Sequence, residues 1–380
     1  MWPTKNQKTA LKKYIDSDGD FSIYGRGGIY HDLESLICKE YDVKNCLLTN
    51  TGTSALSSAY FALGIEQGDE VIVPVYTFIA TITPLYRLGA IPVFADADPD
   101  TGQISSESIK ALITKKTKAV AITHMWGIPC EVEKIKKICQ DNNLYLIEDA
   151  SHSHLTKYKN KYLGTYGDIG CFSVGARKII SGGEGGFLIT NNREFFIRAT
   201  LLGHFIKRAE EELVISSPEI FSKYKDLTSG FGENYRMHPY AAVMIKEFIE
   251  KDLQSILEIR YKCLSLLNKE LSKNPLLITP KITYGAMYGY KPKLLISDKK
   301  IDELIFNFKE NGLKLKRLDT TPLYDDKAFS KGKFLKKYPG ADEYMKGRIS
   351  IPNYTSEDEK ESIEITRAYI KLFKKLLKWQ

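Results

Sequence analysis

Leu146-Ile147-Glu148-Asp149-Ala150-Ser151-His152-Ser153-His154 is an apolar run that ends abruptly in two carboxylates and then meets two histidines. A buried strand whose carboxyl end opens on a polar site reads this way. On either side of it, from about residue 31 to 200, short β-branched runs alternate with helix-length amphipathic segments. The runs are 46–49, 70–73, 91–95, 119–123, 145–148, 169–173 and 186–190. Between them lie helical patterns over 54–63, 106–113 and 131–141, the last with Val132, Ile135 and Ile138 at three-residue spacing. The alternation predicts an α/β fold with many parallel strands, covered by helices on both faces. Ligands on such sheets bind beyond the carboxyl ends of the strands, so the polar residues just after each strand are the ones to read.

Beyond about Asn191 the pattern changes. A charged helix over 193–202 leads into a polar segment, 204–232, with few periodic apolar positions. One long helix is predicted over 239–271, joining a large domain (residues 1–245) to a small C-terminal α+β domain (246–380). The last helix carries Ser356-Glu357-Asp358-Glu359, which fits a capping box, and Lys371, Lys374, Lys375 and Lys378 near its end suit the macrodipole.

The 380 residues suit two domains with a sizeable core. The balance of 55 Lys+Arg against 47 Asp+Glu gives +8, dispersed among acidic residues and without a basic stripe beside an aromatic platform. That pattern attracts phosphates generally and argues against nucleic acid as a partner. The longest uncharged stretches are rich in Thr, Ser, Gly and Asn or contain Pro74 and Pro84, so no membrane span is expected. The residues after Met1 lack the apolar region of a signal peptide. Six cysteines without C-x-x-C spacing read as reduced thiols of a cytoplasmic protein.

Four places hold more polar chemistry than a core needs. Thr51-Gly52-Thr53-Ser54 falls between a strand and a helix, where backbone N–H groups and hydroxyls can receive a phosphate; a plain N-cap is the simpler alternative. Asp149, at its strand end, can hold a proton or cation in a neighbour or merely cap the next turn. A metal on His152-x-His154 lacks evident further ligands, and no metal site is expected. Lys178 stands beside Val174, Ile179 and Ile180, an apolar setting that lowers an amine's pKa as a nucleophile requires. Gly182, Gly183, Gly185 and Gly186 follow it and permit positive φ and close approach. The glycines come after the lysine and precede a strand, so this is no Walker A or dinucleotide fingerprint. Finally, Glu233-Asn234-Tyr235-Arg236-Met237-His238 is dense in donors; its plainer reading is a polar turn with Arg236 in a surface ion pair.

Taken in order, these places resemble the fold-type-I pyridoxal 5′-phosphate (PLP) enzymes, and more closely the DegT/StrS family of sugar aminotransferases. The resemblance runs over nearly the whole chain. It rests on Thr51-Gly52-Thr53-Ser54-Ala55-Leu56, Gly68-Asp69-Glu70-Val71-Ile72-Val73-Pro74 and Thr77-Phe78-Ile79-Ala80-Thr81. Gly89-Ala90-Ile91-Pro92-Val93-Phe94, Glu148-Asp149-Ala150, Gly167-Asp168-Ile169-Gly170-Cys171-Phe172-Ser173, Gly183-Glu184-Gly185-Gly186 and Asn234-Tyr235-Arg236-Met237 complete it. It implies a mostly parallel mixed sheet sandwiched by helices, with PLP bound in the large domain behind an N-terminal substrate-entry segment.

The resemblance also implies roles. Lys178 bonds covalently to PLP and then moves the proton of the 1,3-shift; Asp149 faces the pyridine nitrogen; His152 lies near the 3′-oxygen. Phe78 stacks on the ring, and Gly52, Thr53 and Ser173 hold the phosphate. Asn234 reaches the phosphate of a neighbouring subunit, which makes the active unit a homodimer. The reaction moves an amino group from L-glutamate or L-glutamine to a keto sugar, typically nucleotide-linked. Members that carry His in place of the lysine are sugar dehydratases; Lys178 favours transamination over that alternative, and over a non-catalytic regulatory protein on the same scaffold. The chain departs from the family pattern at Arg177, at Val174-Gly175 and in the entry segment Ser22–Ile29. Tyr24, Arg26, Arg177 and His204 are thus candidate substrate contacts, the arginines alternatively making structural ion pairs.

Overall fold

A computed structural model describes residues 3–17, 19–175, 178–282, 285, 289–318, 320–329, 331–352 and 357–377. Seven strands, β1 (Asn45–Thr49), β2 (Glu70–Pro74), β3 (Ile91–Ala95), β4 (Thr117–Thr123), β5 (Tyr145–Asp149), β6 (Ile169–Ser173) and β7 (Gly186–Thr190), form one sheet in the order β1-β7-β6-β5-β4-β2-β3. All seven expected runs are strands. β7 is antiparallel to both of its neighbours, whereas β6, β5, β4, β2 and β3 are mutually parallel, so the sheet is mixed.

Side chains alternate across the pleat, and both faces are apolar. Leu47, Val71, Val73, Ile147 and Leu188 join one cluster with Ala55, Leu56 and Ala59 of α3 (Gly52–Ala62) and Phe196, Ile197 and Leu201 of α4 (Arg193–Gly203). On the other face Leu48, Phe172, Phe187 and Ile189 pack with Leu33 and Ile37 of α2 (Ile29–Tyr41), while Ile72, Val120, Ile122 and Leu146 pack with Val132, Ile135 and Ile138 of the helix Val132–Asp141.

The single long helix expected over 239–271 is two: α5 (Pro239–Lys251) and α6 (Leu253–Leu271). Asp252 leaves the regular helical path at φ −114°. Its buried carboxylate accepts from the Thr4 hydroxyl (2.6 Å) and the Asn6 amide (2.5 Å). These two residues flank and open α1 (Lys5–Asp16), which Thr4 and Gln7 close with a capping box. Gln7 in turn donates to the carbonyls of Ser181 and Met244. A tertiary contact from the far end of the chain thus ends the first helix, something no periodicity reveals.

The C-terminal third builds its own core from Leu264, Leu267 and Leu271 of α6, Phe308 of the helix Asp298–Glu310, and Tyr369 and Phe373 of α7 (Glu359–Leu376). Two short ladders, Leu277–Ile278 with Lys293–Leu294 and Lys316–Arg317 with Ile349–Ser350, accompany it. Ser356 and Lys378 lie outside the described residues; the cap of α7 is Asp358, which accepts from the Glu361 N–H at 3.1 Å. No helix among the described residues is long and apolar enough to cross a membrane.

The segment 204–232, expected to be polar with few periodic apolar positions, contains two helices, Lys207–Val214 and Pro218–Tyr224. Ala209, Leu213 and Tyr224 join the apolar cluster of α3 and α4, and a buried ionic cluster ties the first of the two helices to α2. Buried Arg208 bridges Glu34 of α2 and Glu212, each at 2.8 Å, and Arg193 meets Glu212 at 2.9 Å. Removing one partner from a buried cluster strands the others, which costs far more than the intact cluster contributes. Arg208→Met should therefore lower stability by about 3–5 kcal/mol in urea titrations, with Lys223→Met, which breaks an exposed pair with Glu194, near neutral by comparison.

Candidate active site

Parallel strands send their carboxyl ends to one edge, and that edge carries the polar residues. Thr123 of β4 pairs with Asp149 of β5, and Asp149 with Cys171 of β6, two residues before Ser173. The Asp149 carboxylate is buried and held at both oxygens: Oδ2 accepts from the Thr81 hydroxyl (2.7 Å) and Oδ1 from the Ser151 N–H (3.1 Å). Thr81 belongs to a hydroxyl cluster with Thr77 and Thr123, at 2.7 to 3.2 Å. The carboxylate is thereby fixed in direction before any ligand arrives.

Glu148, one residue earlier, points to the opposite face. It is fully buried and accepts from the N–H groups of Gly164 (2.9 Å), Tyr166 (2.6 Å) and Gly167 (2.6 Å) and from His124 Nε2 (2.9 Å). Burial works to raise its pKa, yet these donors hold it below the ordinary carboxylate range. His124 Nδ1 lies 3.2 Å from the Cys130 N–H, which leaves Nε2 to donate to Glu148. Of the paired carboxylates, Glu148 serves the fold.

The two histidines divide in the same way. His154 Nε2 donates to the Ser173 carbonyl (2.9 Å), packs on Phe172 and Phe187, and has its pKa lowered by burial to about 4. His152 stacks on Trp126, with ring centroids 5.4 Å apart and 17° between planes, and its Nδ1 accepts from the Trp126 N–H at 3.2 Å. Burial first, and the charges of Lys178 and Lys291 after it, keep His152 neutral, with its proton on Nε2.

The β1–α3 turn approaches the neighbouring strands so closely that only glycine fits. A Cβ on Gly52 would stand 2.7 Å from the Ser173 Cβ; one on Gly186 would stand 2.5 Å from the Thr51 carbonyl. Thr51 caps α3 by accepting from the Ser54 N–H (3.0 Å), leaving Gly52 and Thr53 at the helix's positive end. Gly183 and Gly185 have φ of +94° and +150°, and Gly182 lies where a Cβ would meet the Ala241 carbonyl at 2.8 Å. The glycines after Lys178 thus serve mainly the close approach of the protein's own backbone.

Gly52, Thr53, Phe78, Asp149, His152, Ser173 and Lys178 line one cavity of about 640 Å³. Lys178 enters it from the loop between β6 and β7; desolvation pulls its pKa down to about 8, against the opposing pull of Asp149. Asn234 is exposed and is not among the lining residues. Nor are Tyr24, Arg26 and His204. Tyr24 lies 4.6 Å beneath the Arg236 guanidinium, which takes this ring instead of a surface ion pair. Arg26 pairs with Glu212 (3.6 Å) while its N–H donates to Glu211 (2.6 Å), the structural alternative for that arginine. His204 is buried, and desolvation lowers its pKa to about 3, so it offers no charge to an anion. Arg177 lies outside the described residues. Sequence reading missed Trp126, Lys291, Lys316 and Thr320, all in the lining. Trp126 had a weak signal, Met125-Trp126-Gly127 just past β4, where Trp126 takes φ +62°; the other three come from a region without a motif.

The sequence model of the DegT/DnrJ/EryC1/StrS aminotransferase family matches residues 5–368. The chain belongs to this family. Among curated relatives, the GDP-perosamine synthase of Vibrio cholerae is 29% identical over 92% of this chain and 91% of that protein. The GDP-perosamine synthase of Escherichia coli O157:H7 is 39% identical over 51% of this chain and 53% of that protein. Among solved structures, an aminotransferase from Psychrobacter cryohalolentis superposes with a TM-score of 0.87 at 26% identity, covering 99% of this chain and 98% of its own. The E. coli GDP-4-keto-6-deoxy-D-mannose-3-dehydratase shares the fold, with a TM-score of 0.82 at 21% identity over 97% of both chains.

The lowered pKa of Lys178 has a direct consequence in the cofactor-free protein. Raising the pH through about 8 frees its amine, whereas ordinary lysines stay protonated to well above that. Acylation by an activated ester, read by peptide mapping, should therefore rise at Lys178 through pH 8 while exposed lysines lag; a Lys178 profile tracking theirs would contradict the desolvated setting.

Proposed function

We propose that this chain transfers the amino group of L-glutamate or L-glutamine to a keto sugar, nucleotide-linked, using pyridoxal 5′-phosphate bound in the cavity at the carboxyl edge of the sheet. The carrying observation is that a desolvated lysine amine, a fixed carboxylate and a glycine–hydroxyl helix terminus line one cavity. The donor set suits PLP at each of its polar points. The N-terminus of α3 at Gly52 and Thr53, with the Ser173 hydroxyl, meets a phosphate dianion. Asp149 meets a protonated ring nitrogen, and neutral His152 donates from Nε2 to a phenolate oxygen. Phe78, half exposed at the cavity wall, supplies the aromatic face.

When bound, PLP supplies an electron-withdrawing ring that receives the amino group in one half-reaction and gives it up in the next. The protein's part is to orient and to move protons. Thr81 and the Ser151 N–H keep the Asp149 carboxylate aimed, so that its charge would favour a protonated ring. Lys178, with a pKa near the working pH, can take a proton from the donor's α-carbon and return one to the cofactor side, and the reverse for the acceptor. Ser173, its carbonyl tied to His154, cannot drift from the phosphate position.

The active unit in this reading is a homodimer. Asn234, exposed and outside its own cavity, would complete the partner's phosphate site, and the exposed Ile206, Leu227 and Phe231 on the same segment suit burial against a second copy. The chain divides into a large unit, 1–245, and a smaller one, 246–380, with the first turns of α6 still packed on the large unit through Leu253, Ile256 and Leu257. The cysteines, free among the described residues, are in keeping with a cytoplasmic setting.

The test is product analysis: with L-glutamate and a panel of keto sugars, turnover should yield 2-oxoglutarate and an amino sugar in equal amounts. A deoxygenated keto sugar with free ammonium, in place of the amino sugar, would establish dehydration instead, the glutamate amine then serving as the two-electron reductant and leaving as ammonium. Lys178→Ala should lose both turnover and the visible absorbance of bound cofactor. Mixing Lys178→Ala subunits with inactive Asn234→Ala subunits should restore roughly a quarter of the activity, since half the random dimers carry one intact site of two; no recovery would place Asn234 outside the shared site.

A further inference from the structure

Deep in the same cavity is a cation that none of the preceding roles uses. Lys291 follows Tyr290, whose backbone pairs antiparallel with Ile351, and is only 5% exposed. Its ammonium donates to the Ser350 hydroxyl and stands 4.2 Å from the centre of the Trp126 ring. Trp126 is itself fixed, its indole N–H on the Tyr76 hydroxyl (3.0 Å) and its face on His152. Gly289, at φ +126°, leaves room for the lysine: a Cβ there would meet the Lys291 ammonium at 3.1 Å. Arg348 secures the backbone by donating to the Lys291 carbonyl (3.0 Å), to the Tyr344 carbonyl (2.7 Å) and to the Asp100 carbonyl (2.6 Å). A buried ammonium carries a large desolvation cost, and Ser350 and Trp126 hold this one in place beside the reacting end of the cavity.

We propose that Lys291 is the specificity residue for the amino donor, its ammonium receiving the donor's α-carboxylate while the donor's amine lies at Lys178. The inference rests on the aminotransferase reading above and names the anion that this reading leaves unplaced. Chemistry decides between the two anions the reaction offers. An α-carboxylate is one bond from the carbon that carries the reacting nitrogen, so it must lie within the deep part of the cavity that holds Lys178 and His152. A nucleotide-linked sugar has its phosphates separated from the keto carbon by the width of the sugar ring, which puts them toward the mouth, where the exposed Lys316 lies with Thr320. Trp126 and Ser350 orient the Lys291 ammonium as a point charge with hydrogen-bonding capacity for a carboxylate oxygen.

The experiment uses the PLP-loaded enzyme and follows each half-reaction separately by cofactor absorbance. The donors are L-glutamate and 4-aminobutanoate, which is glutamate without its α-carboxylate. Wild type should prefer L-glutamate strongly. In Lys291→Met the L-glutamate half-reaction should fall by roughly 100-fold in kcat/KM, 4-aminobutanoate should be little changed, and the preference should collapse; Lys291→Arg should recover part of it. The keto-sugar half-reaction should change several-fold at most. Calorimetry gives the readout independent of turnover: glutarate should bind the loaded wild type and weaken in Lys291→Met, whereas UDP or GDP should bind both equally and weaken in Lys316→Met. An unchanged glutamate preference in Lys291→Met, or a loss confined to the nucleotide and the sugar half-reaction, overturns the assignment. Unchanged cofactor absorbance and melting temperature exclude misfolding as the cause. A loaded wild type that transaminates from no donor at all defeats the aminotransferase reading itself, a result distinct from either.

Discussion

The site depends on one steric constraint, the contact between the β1–α3 turn and the ends of β6 and β7. Thr51 and Gly52 lie against Gly186 and Ser173 at distances no side chain at either glycine would permit. That contact does two things at once. It seats the positive end of α3 beside the Ser173 hydroxyl, and it fixes where the loop bearing Lys178 leaves the sheet. The antiparallel β7 is what allows it, because only a strand running back along β6 and β1 brings Gly186 to the same edge as Thr49 and Ser173. A methyl group at this junction would have to displace backbone on both sides, and a close-packed interior has no slack to absorb it.

Polar residues adjacent in sequence separate by function because a strand alternates its faces. Glu148 and Asp149 look equivalent on the page. In the fold one faces three backbone N–H groups and a buried histidine, and the other faces the cavity with a threonine hydroxyl behind it. His152 and His154 part likewise. In each pair one member stiffens the loops that carry the other, so the site is rigid on its sheet side.

What the sequence made legible follows the range of the interactions involved. The strands were readable because β-branched runs and their polar ends are local, and Gly52, Thr53, Asp149 and Ser173 were readable because each sits at or next to such an end. Asp252 was not, since the break in the helix comes from Thr4 and Asn6. Nor were the helices after His204, whose apolar anchors are few (Ala209, Leu213 and Tyr224) and whose first member a buried ionic cluster ties to α2 through Arg208 and Glu212. Arg26 could be read as substrate contact or structural pair, and only the position of Glu212 decides. Lys291 carried no signal at all: it reaches the cavity because the C-terminal third packs there, and its neighbours Trp126 and Ser350 are more than fifty residues away on either side.

The attachment at Asp252 also sets an order of events in biosynthesis. Thr4 finds its acceptor 248 residues away, and Gln7 needs the carbonyls of Ser181 and Met244. α1 therefore has no such native surface to dock on until α5 has emerged from the ribosome. Until then these tertiary contacts are missing, and a short isolated helix of this length is marginal in water. A segment made before α5 is thus secured only after it, and it fixes the break between α5 and α6 as it arrives.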